Sequence, residues 1–565
     1  MARITAHEQP ILKVFSDDYA FSIPNYQRPY RWGTDQAELL LKDILEASVE
    51  AGPLMAKGGK AGEAISPYFL GSIVVIQPHG PDVDVVDGQQ RLTSLSLLLA
   101  ALRALLPEQD RSKLNGRLLE KGNDFEGTLD RCRLTLRDRD QGFYKTNVLE
   151  DEVFTKLKNL NTDTLTEPQA NITRNALLFL RELEKLEVSA RATLTAFLLQ
   201  HTYLVVVATE SLDSAFRIFS VLNDRGLDLT TADILKADLI GKVAKEKEDF
   251  YTRKWEDLDE KLGEQEFDKL ISHIVMIHHR QKMRETVLKT FRSVVKADSR
   301  PVDFIENELI PYAEAFEVIR NADWDGEKDQ LINRTLKWLN RLDNSDWVPS
   351  ALSLLVKHTG NPDKLHSSLV ALERLAVILW LNRVSVNERI ERFGRVLADI
   401  SDGKEAEDAS AMQPSKAEVA EAITVLDGDI YNLSPKQKRT LILLRLDECL
   451  GSGEANYEFD KITIEHVLPQ TPPDNSQWVT WWPDLVQRVQ ATHRLGNLAL
   501  LNRRQNAAAK NWDLQTKQTK YFTTKGNASP FLITIGVLKA KEWTPTIFAE
   551  RQQSFLTLLR EAWKL

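Results

Sequence analysis

Two short segments near the end of the sequence carry residue types that could cut a phosphodiester bond. Glu465 and His466 close the alternating stretch KITIEH, Asn497 follows roughly thirty residues later, and Asn506 comes nine residues after that. An imidazole titrates near neutral pH and can take a proton from water. Carboxylate and amide oxygens suit Mg²⁺ or Mn²⁺, and such a cation neutralises the charge that develops on a phosphate. We predict His466 as the general base, Glu465 and Asn506 as metal ligands, and Asn497 as the residue that holds the loop orienting His466.

Basic residues follow in the same part of the chain. Between Arg494 and Lys525 seven Lys or Arg side chains face a single acid, Asp513. An isolated charge run is usually a solvated helix face, but beside a phosphodiesterase centre phosphate contact is the better interpretation. The residues that we predict to contact DNA are Arg494, Arg503, Arg504, Lys510 and Lys517. Most of the nearby tryptophans (Trp478, Trp481, Trp482 and Trp512) are expected to pack in a core rather than stack on bases.

A second group of polar residues lies near the start of the chain. The segment IPNYQRPYRW spans Ile23 to Trp32, and DGQQR spans Asp87 to Arg91, directly before an apolar stretch. Free amides at a helix N-terminus bind anions, and arginine grips phosphate oxygens with two bonds. Asp87 could hold the magnesium of a nucleotide or act on a water molecule, and we count it among the candidate catalytic residues. The sequence has no GxxxxGK[ST] motif, which excludes a P-loop enzyme.

The secondary-structure signals that must position these residues differ along the chain. Strand signals run from Phe69 to Gln77, Val83 to Val86 and Tyr203 to Thr209. We predict that Thr93 caps a helix ending near Leu106 and that Thr230-Thr-Ala-Asp233 opens another helix, through Lys236, as a capping box.

From about Tyr251 to Arg445 the helical period dominates, and 405–416 is the best candidate for a loop within that region. At the C-terminus, two short strands and a following helix that carries Asn506 and Lys510 form the layout of a ββα-metal nuclease. The expected fold is α+β and mostly helical. We expect a nucleotide-binding domain at 1–245, a helical linker at 246–435 and an endonuclease domain at 436–565.

Both ends of the chain resemble GmrSD-type restriction enzymes. The N-terminal part, about residues 10 to 245, carries IPxYQRxYxW, FLGSIV, DGQQR and LNxRGxxLxxxDxxK, and it resembles the ParB and sulfiredoxin group. The C-terminal part, from about Leu441 to Leu565, resembles the HNH (His-Me finger) nucleases through EHxxPQ, GNL, Asn506 and Lys510. Glu465 departs from the more usual Asp, which leaves its direct ligation of a metal open. The resemblance implies nucleotide contacts by Gln27, Arg28, Asp87, Gly88, Gln89, Gln90, Arg91, Asn223, Arg225 and Lys236.

Composition places the protein among globular chains of the reducing cytoplasm. The 565 residues are 42% hydrophobic and 27% charged, with a net charge of −9. Two distant cysteines, Cys132 and Cys449, exclude a disulfide framework and a zinc ribbon. The longest apolar stretch, from Leu95 to Leu106, is too short to cross a bilayer. We therefore expect a cytoplasmic protein without a membrane segment.

The resemblance implies a nucleotide-regulated, metal-dependent endonuclease with an associated NTPase, which restricts modified foreign DNA as a type IV restriction enzyme in phage defence. GTP, ATP, CTP and UTP stay open as the nucleotide. We expect a homodimer on double-stranded DNA, because a double-strand break needs two nicks and each chain has one nuclease centre. The alternatives are a nucleotide-switched nucleic-acid-binding protein and an RNA-cleaving, toxin-like nuclease. His493 stays open as a further substrate or metal contact.

Overall fold

The chain forms two compact units, Met1–Glu256 and Asp257–Leu565, in a computed structural model. The residues that this structure describes are 4–56, 65–77, 80–122, 130–150, 157–210, 214–215, 218, 230–451, 462–502, 511–520, 523–524 and 527–565.

The strands are short and belong mostly to the first unit. In chain order they are β1 (Thr5–Pro10), β2 (Ala20–Ser22), β3 (Tyr68–Ile76), β4 (Asp82–Asp87), β5 (Leu119–Glu120), β6 (Arg131–Cys132), β7 (Leu134–Thr135), β8 (Thr202–Thr209), β9 (Ile462–His466), β10 (Leu498–Asn502), β11 (Thr523–Thr524) and β12 (Asn527–Ala528).

Helices make up most of the described chain. Up to residue 262 they are α1 (Ile11–Val14), α2 (Thr34–Ala56), α3 (Gln89–Leu105), α4 (Glu108–Leu118), α5 (Asp138–Tyr144), α6 (Glu167–Glu184), α7 (Val188–His201), α8 (Thr231–Ile240) and α9 (Lys245–Leu262). Thereafter they are α10 (Glu264–His279), α11 (Val287–Thr290), α12 (Pro301–Phe304), α13 (Ile310–Asn321), α14 (Asp329–Leu339), α15 (Val348–Lys357), α16 (Pro362–Leu381), α17 (Val386–Ser401), α18 (Lys416–Asp427), α19 (Lys436–Cys449), α20 (Gln477–Trp481), α21 (Leu485–Thr492), α22 (Leu514–Lys520), α23 (Leu532–Leu538) and α24 (Pro545–Ala562).

A mixed six-stranded sheet forms the centre of the first unit, in the order β1-β8-β3-β4-β2-β7. β3 pairs antiparallel with β4 and parallel with β8, and β2 pairs parallel with β4 and β7. One face packs on α3, which is buried over nearly its whole length and contributes Leu92, Leu95 and Leu99 to the main core. The strands predicted at Phe69, Val83 and Tyr203 are thus confirmed.

The start of α3 differs from the prediction. The helix begins at Gln89 rather than at Thr93, and Gly88 is its N-cap with φ +92°. A Cβ on Gly88 would lie 2.3 Å from Cγ2 of Ile73, so only glycine fits both the left-handed backbone and the space. Thr93 lies inside the helix and is buried. The capping box of Thr230 and Asp233 is confirmed, at the start of α8.

The second unit is helical as far as Cys449, in agreement with the helical period of the sequence. Loop and 3₁₀ backbone separates α17 from α18, where the sequence suggested a loop. β9 and β10 then pair antiparallel, and we call this pair the β9–β10 hairpin, although residues 467–497 with α20 and α21 connect the two strands. The core around it contains Trp478, Trp482 and Trp543. The fold is α+β and mostly helical, as predicted. None of the helices in the described part of the chain is both long and apolar enough to span a membrane.

Candidate active site

The β9–β10 hairpin places His466 at the end of a strand and inside the protein. His466 pairs with Leu498 across the hairpin, and its side chain is 4% exposed. Side chains alternate between the two faces of a strand, and burial follows that alternation, with Ile464 and His466 buried and Glu465 partly exposed. Glu465 and His466 therefore leave the strand on opposite faces.

Both ring nitrogens of His466 have a polar neighbour. Nε2 lies 3.1 Å from Nδ1 of His493, and Nδ1 lies 3.2 Å from the amide nitrogen of Gln470. The ring of Tyr431 packs against the His466 ring with the centroids 4.1 Å apart. The pKa of His466 is lowered to about 3. Burial is the largest cause, and the nearby His493, Lys517 and Arg439 add to the shift. His466 is thus a neutral imidazole at neutral pH, which is the form that accepts a proton.

Asn497 anchors the backbone that follows His466. Its amide oxygen accepts hydrogen bonds from the Leu468 backbone N–H (2.7 Å) and from Trp543 Nε1 (3.2 Å). Its amide nitrogen donates to the carbonyl oxygens of Leu468 (3.0 Å) and Thr492 (2.8 Å). With four hydrogen bonds and no exposed surface, Asn497 links the backbone at Leu468, after β9, to the backbone at Thr492, before β10. The predicted metal ligand Asn506 lies outside the described residues.

Lys517, one of the predicted DNA contacts, lies inside the second unit. Its side chain is only 1% exposed, and Nζ lies 3.0 Å from Oε1 of Glu465, 2.6 Å from the His466 carbonyl oxygen and 3.1 Å from that of Val467. A buried ammonium with three acceptors supports the hairpin. The basic run of the sequence shows the charge of Lys517, but its burial was not predicted.

Arg494 is likewise bound within the second unit. Its guanidinium pairs with Asp427 and donates to the Asp427 carbonyl oxygen at 2.8 Å, and it lies over the ring of Phe548. The side chain is about one-third exposed, which leaves one edge towards solvent. The other predicted DNA contacts, Arg503, Arg504 and Lys510, lie outside the described residues.

In the first unit, a small cavity lies beside the N-terminus of α3. Its free space is only about 10 Å³, room for about one water molecule. Its lining residues are Ile23, Arg28, Tyr30, Gln89, Gln90, Thr93, Leu136, Arg137 and Asp140. Three of the predicted nucleotide contacts, Arg28, Gln89 and Gln90, therefore meet at one place, together with Arg137, which the sequence analysis missed. Asn223 and Arg225 lie outside the described residues.

Other predicted nucleotide contacts hold the IPNYQRPYRW segment against the sheet and α3. Gln27 is 4% exposed, and its amide donates to the Val86 carbonyl oxygen at 3.1 Å. Gln90 accepts from the backbone N–H groups of Arg31 and Trp32 and donates to the Pro29 carbonyl oxygen. Gln27, a predicted nucleotide contact, thus holds the IPNYQRPYRW segment against β4. Gln90 holds the same segment against α3 and also lines the cavity.

Asp87, Gly88 and Arg91 form the turn before α3 and its first residues. Burial raises the pKa of Asp87, although the Gly88 amide and the Arg91 charge oppose that shift. Burial also lowers the pKa of Arg91, whose Nη1 donates to the Ser72 carbonyl oxygen at 2.7 Å. Asp87 and Arg91 are therefore partly shielded from water and electrostatically coupled, but neither lines the cavity.

Buried ion pairs surround the cavity. Arg28 pairs with Asp233, donating from Nε at 2.8 Å. Lys236, 4% exposed, donates to Glu256 at 2.7 Å, and Arg137 pairs with both Glu256 and Asp140. The ammonium of Lys236, one of the predicted nucleotide contacts, is thus enclosed and paired with Glu256 within the first unit.

Sequence reasoning missed Tyr431 and Arg439, which lie beside His466. The Arg439 guanidinium stacks on the Tyr431 ring at 4.4 Å and donates to the Tyr431 carbonyl oxygen. Both residues precede the recognised nuclease motifs, in a stretch that carries no motif of its own. Arg137 was missed for a similar reason, although the dense charges of RCRLTLRDRD around it were a signal.

Two family models match the chain, one over the cavity beside α3 and one over the surroundings of His466. The model of the GmrSD restriction endonuclease N-terminal domain matches residues 11–240, which contain the cavity beside α3. The model of the C-terminal domain of GmrSD restriction endonucleases matches residues 420–558, which contain Tyr431, His466, His493 and Asn497. No curated protein matches the chain.

Proposed function

We propose that this chain, which belongs to the GmrSD restriction endonuclease family, is a nucleotide-regulated, metal-dependent, HNH-type endonuclease that restricts modified foreign DNA as a type IV restriction enzyme. The observation that carries the proposal is the neutral, buried His466, held at a hairpin end that Asn497 anchors, within the family's C-terminal domain. A pure nucleic-acid binder has no need of an oriented base.

His466 would take the proton of the attacking water through Nδ1. This nitrogen faces Gln470, which is exposed, whereas Nε2 faces inward to His493. Because Gln470 is exposed, its amide can swing away from Nδ1, and a water molecule can take its place there. General-base catalysis contributes about 10²–10⁴-fold when the pKa of the base lies near the working pH, and the negative charge of a bound phosphate would raise the pKa of His466 towards that range.

The residues present fit a hard cation in part. Oε1 of Glu465 is paired with Lys517, and Oε2 accepts no hydrogen bond within the described part of the chain. One carboxylate oxygen is thus available, and Asn506 would supply an amide oxygen beside it. A bound Mg²⁺ or Mn²⁺ would stabilise the charge that develops on the phosphate. His466 leaves the strand on the other face and stays free to act as the base.

The cavity beside α3 would receive the phosphate groups of a nucleoside triphosphate. Its free space of about 10 Å³ is far below the roughly 300–1,000 Å³ of most small-molecule pockets, so the lining side chains would have to move apart to admit phosphate groups. Arg28, Arg137 and the N-terminal amides of α3 supply positive charge and donors there. Asp87 would hold a magnesium ion of that nucleotide or act on a water molecule.

Cleavage of matched phage DNAs tests this function. One DNA is unmodified and the other carries glucosylated hydroxymethylcytosine, and both are incubated with Mg²⁺ or Mn²⁺ and with GTP, ATP, CTP or UTP in turn. We expect cutting of the modified DNA only, with a rate that one nucleotide changes. Cutting of total RNA but of neither DNA would replace the proposal with a toxin-like ribonuclease. Nucleotide binding without any cleavage would replace it with a switched binding protein.

A matched pair of variants tests the nucleotide site. The Gln89 amide lines the cavity and has no hydrogen-bond partner within the described residues. Gln89→Ala therefore removes a ligand contact and keeps the hydrogen bonds by which Gln27 and Gln90 hold the IPNYQRPYRW segment. We expect binding of the preferred nucleotide to weaken about 5–10-fold, the equivalent of one hydrogen bond. Gln109→Ala, at an exposed position of α4, is the control. Equal affinities of the two variants by calorimetry would contradict the assignment.

The organisation of the chain is part of the same proposal. Residues 246–435 would relay the nucleotide state of 1–245 to the nuclease at 436–565, since an unregulated nuclease would cut the host chromosome. A homodimer would supply the two centres that a double-strand break needs, in the cytoplasm where foreign DNA arrives. Sedimentation with and without nucleotide measures the oligomeric state directly.

A further inference from the structure

We propose that His493 is the positioning residue of the nuclease centre: it accepts a hydrogen bond from Nε2 of His466 and so holds the base with its Nδ1 towards the substrate. This inference rests on the proposed nuclease function. In this proposal His493 contacts neither the substrate nor a metal. The proposal is based on the hydrogen bonds and ring contacts that His493 makes within the second unit.

The hydrogen bonds around His466 are consistent with one arrangement of its protons. The side-chain amide nitrogen of Gln470 faces Nδ1 at 3.2 Å, and an amide N–H can only donate. With the Gln470 amide in this orientation, Nδ1 of His466 is the acceptor, and the proton of the neutral ring lies on Nε2. That N–H points to Nδ1 of His493 at 3.1 Å, which must be the acceptor of the pair. His493 then carries its own proton on Nε2.

His493 is itself held by several contacts. Its backbone carbonyl accepts from the N–H groups of Ile430 and Tyr431, at 3.0 and 3.1 Å. Its ring stacks on the Tyr431 ring, with centroids 5.5 Å apart and planes within 17°. The adjacent Thr492 carbonyl oxygen is bound by Asn497. A partner fixed in this way can fix the ring to which it is bonded.

The bond between the two histidines gains strength when the base works. As Nδ1 of His466 takes the proton from water, the ring becomes an imidazolium whose Nε2–H is a charged donor. Hydrogen bonds from charged donors are about twice as strong as neutral ones, so a neutral His493 favours the imidazolium, whereas a positive charge on His493 would oppose it. An interaction that strengthens during the reaction raises kcat and leaves KM nearly unchanged.

Two substitutions separate the hydrogen bond from packing. In His493→Asn the side-chain oxygen takes the place of Nδ1, so the acceptor is kept and the ring is lost. In His493→Phe the ring still stacks on Tyr431, but the acceptor is lost. The assay is cleavage of DNA with glucosylated hydroxymethylcytosine at varied DNA concentration, after thermal unfolding has shown that both variants fold. His466→Ala is assayed in parallel.

We expect His493→Phe to lose about 10–100-fold in kcat, as for other residues that orient a functional side chain, with little change in KM. His493→Asn should stay within a few-fold of the wild type. Wild-type activity of His493→Phe would overturn the proposal, and so would equal losses in both variants or a loss confined to KM. If His466→Ala also cuts at the wild-type rate, the nuclease assignment itself fails, which is a separate result.

Discussion

The buried Lys517 offers a sharp test of how the nuclease hairpin is held. Lys517→Met keeps most of the side-chain volume but leaves the Glu465 carboxylate and two carbonyl oxygens without their shared donor. Removing one partner of a buried ion pair costs about 3–5 kcal/mol. The Glu465 side chain is 12% exposed, so water can reach it and the lower end, about 3 kcal/mol, applies. At about 2 °C per kcal/mol for a large domain, the melting temperature should fall by roughly 6 °C.

The assay combines thermal unfolding with DNA binding at several salt concentrations. Lys539→Met, at an exposed position of the same unit, should melt like the wild type. In the double variant Lys517→Met with Glu465→Gln no charge is left unpaired, so part of the lost stability should return. If Lys517 were a phosphate contact, Lys517→Met would leave the melting temperature unchanged. It would also reduce the slope of log K against log [salt] by about 1. That result would refute the structural role of Lys517.

Three further predictions follow from single positions. Gly88→Ala should lower the free energy of unfolding of the first unit, measured in urea, by about 2–5 kcal/mol, because the methyl group meets Ile73 on a left-handed backbone. Gly80→Ala, with φ +72° and open space, should cost only about 1–2 kcal/mol. Equal unfolding midpoints of the two variants would contradict this. Burial lowers the pKa of His273 to about 4, so the unfolded state binds its proton first, and the stability from the neutral ring is lost as pH falls from about 6.5 towards 4. His273→Leu should therefore reduce the loss of stability between pH 7 and pH 5 by up to about 2 kcal/mol, and an unchanged loss would disprove the shift. Asn497→Ala removes four buried hydrogen bonds and should cost at least about 3 kcal/mol and abolish cleavage; a variant that melts and cuts like the wild type would show that the site does not need this anchor.

The local signals of the sequence predicted most of the elements correctly. β8 and the capping box of α8 appear where alternation and the Thr-x-x-Asp spacing placed them, because both patterns depend on neighbours a few residues away. The start of α3 was misplaced because Gly88 makes the turn through its backbone and needs no capping side chain. The strand ending in His466 was also predicted correctly.

The surroundings of the site could be predicted only in part. Tyr431 contacts His466 from 35 positions away in the sequence, and no spacing rule connects the two residues. Lys517 looked like one more cation of a basic stripe, although it lies three residues after the buried Leu514 and therefore shares a helix face with it. That spacing was the available signal for its burial. The ion pairs of Lys236 and Arg137 with Glu256 depend on the tertiary fold, which charge patterns along the chain do not reveal.

The most direct test of the nuclease assignment is the cleavage rate of His466→Ala on glucosylated phage DNA. His466→Asn, which keeps a polar group in the buried site, is the second variant, and thermal unfolding shows whether each variant is folded. If His466 is the general base, both folded variants should lose about 10²-fold or more in rate with the same metal and nucleotide. Cleavage by a folded variant at the wild-type rate would contradict the account, because it would place the chemistry at another part of the chain.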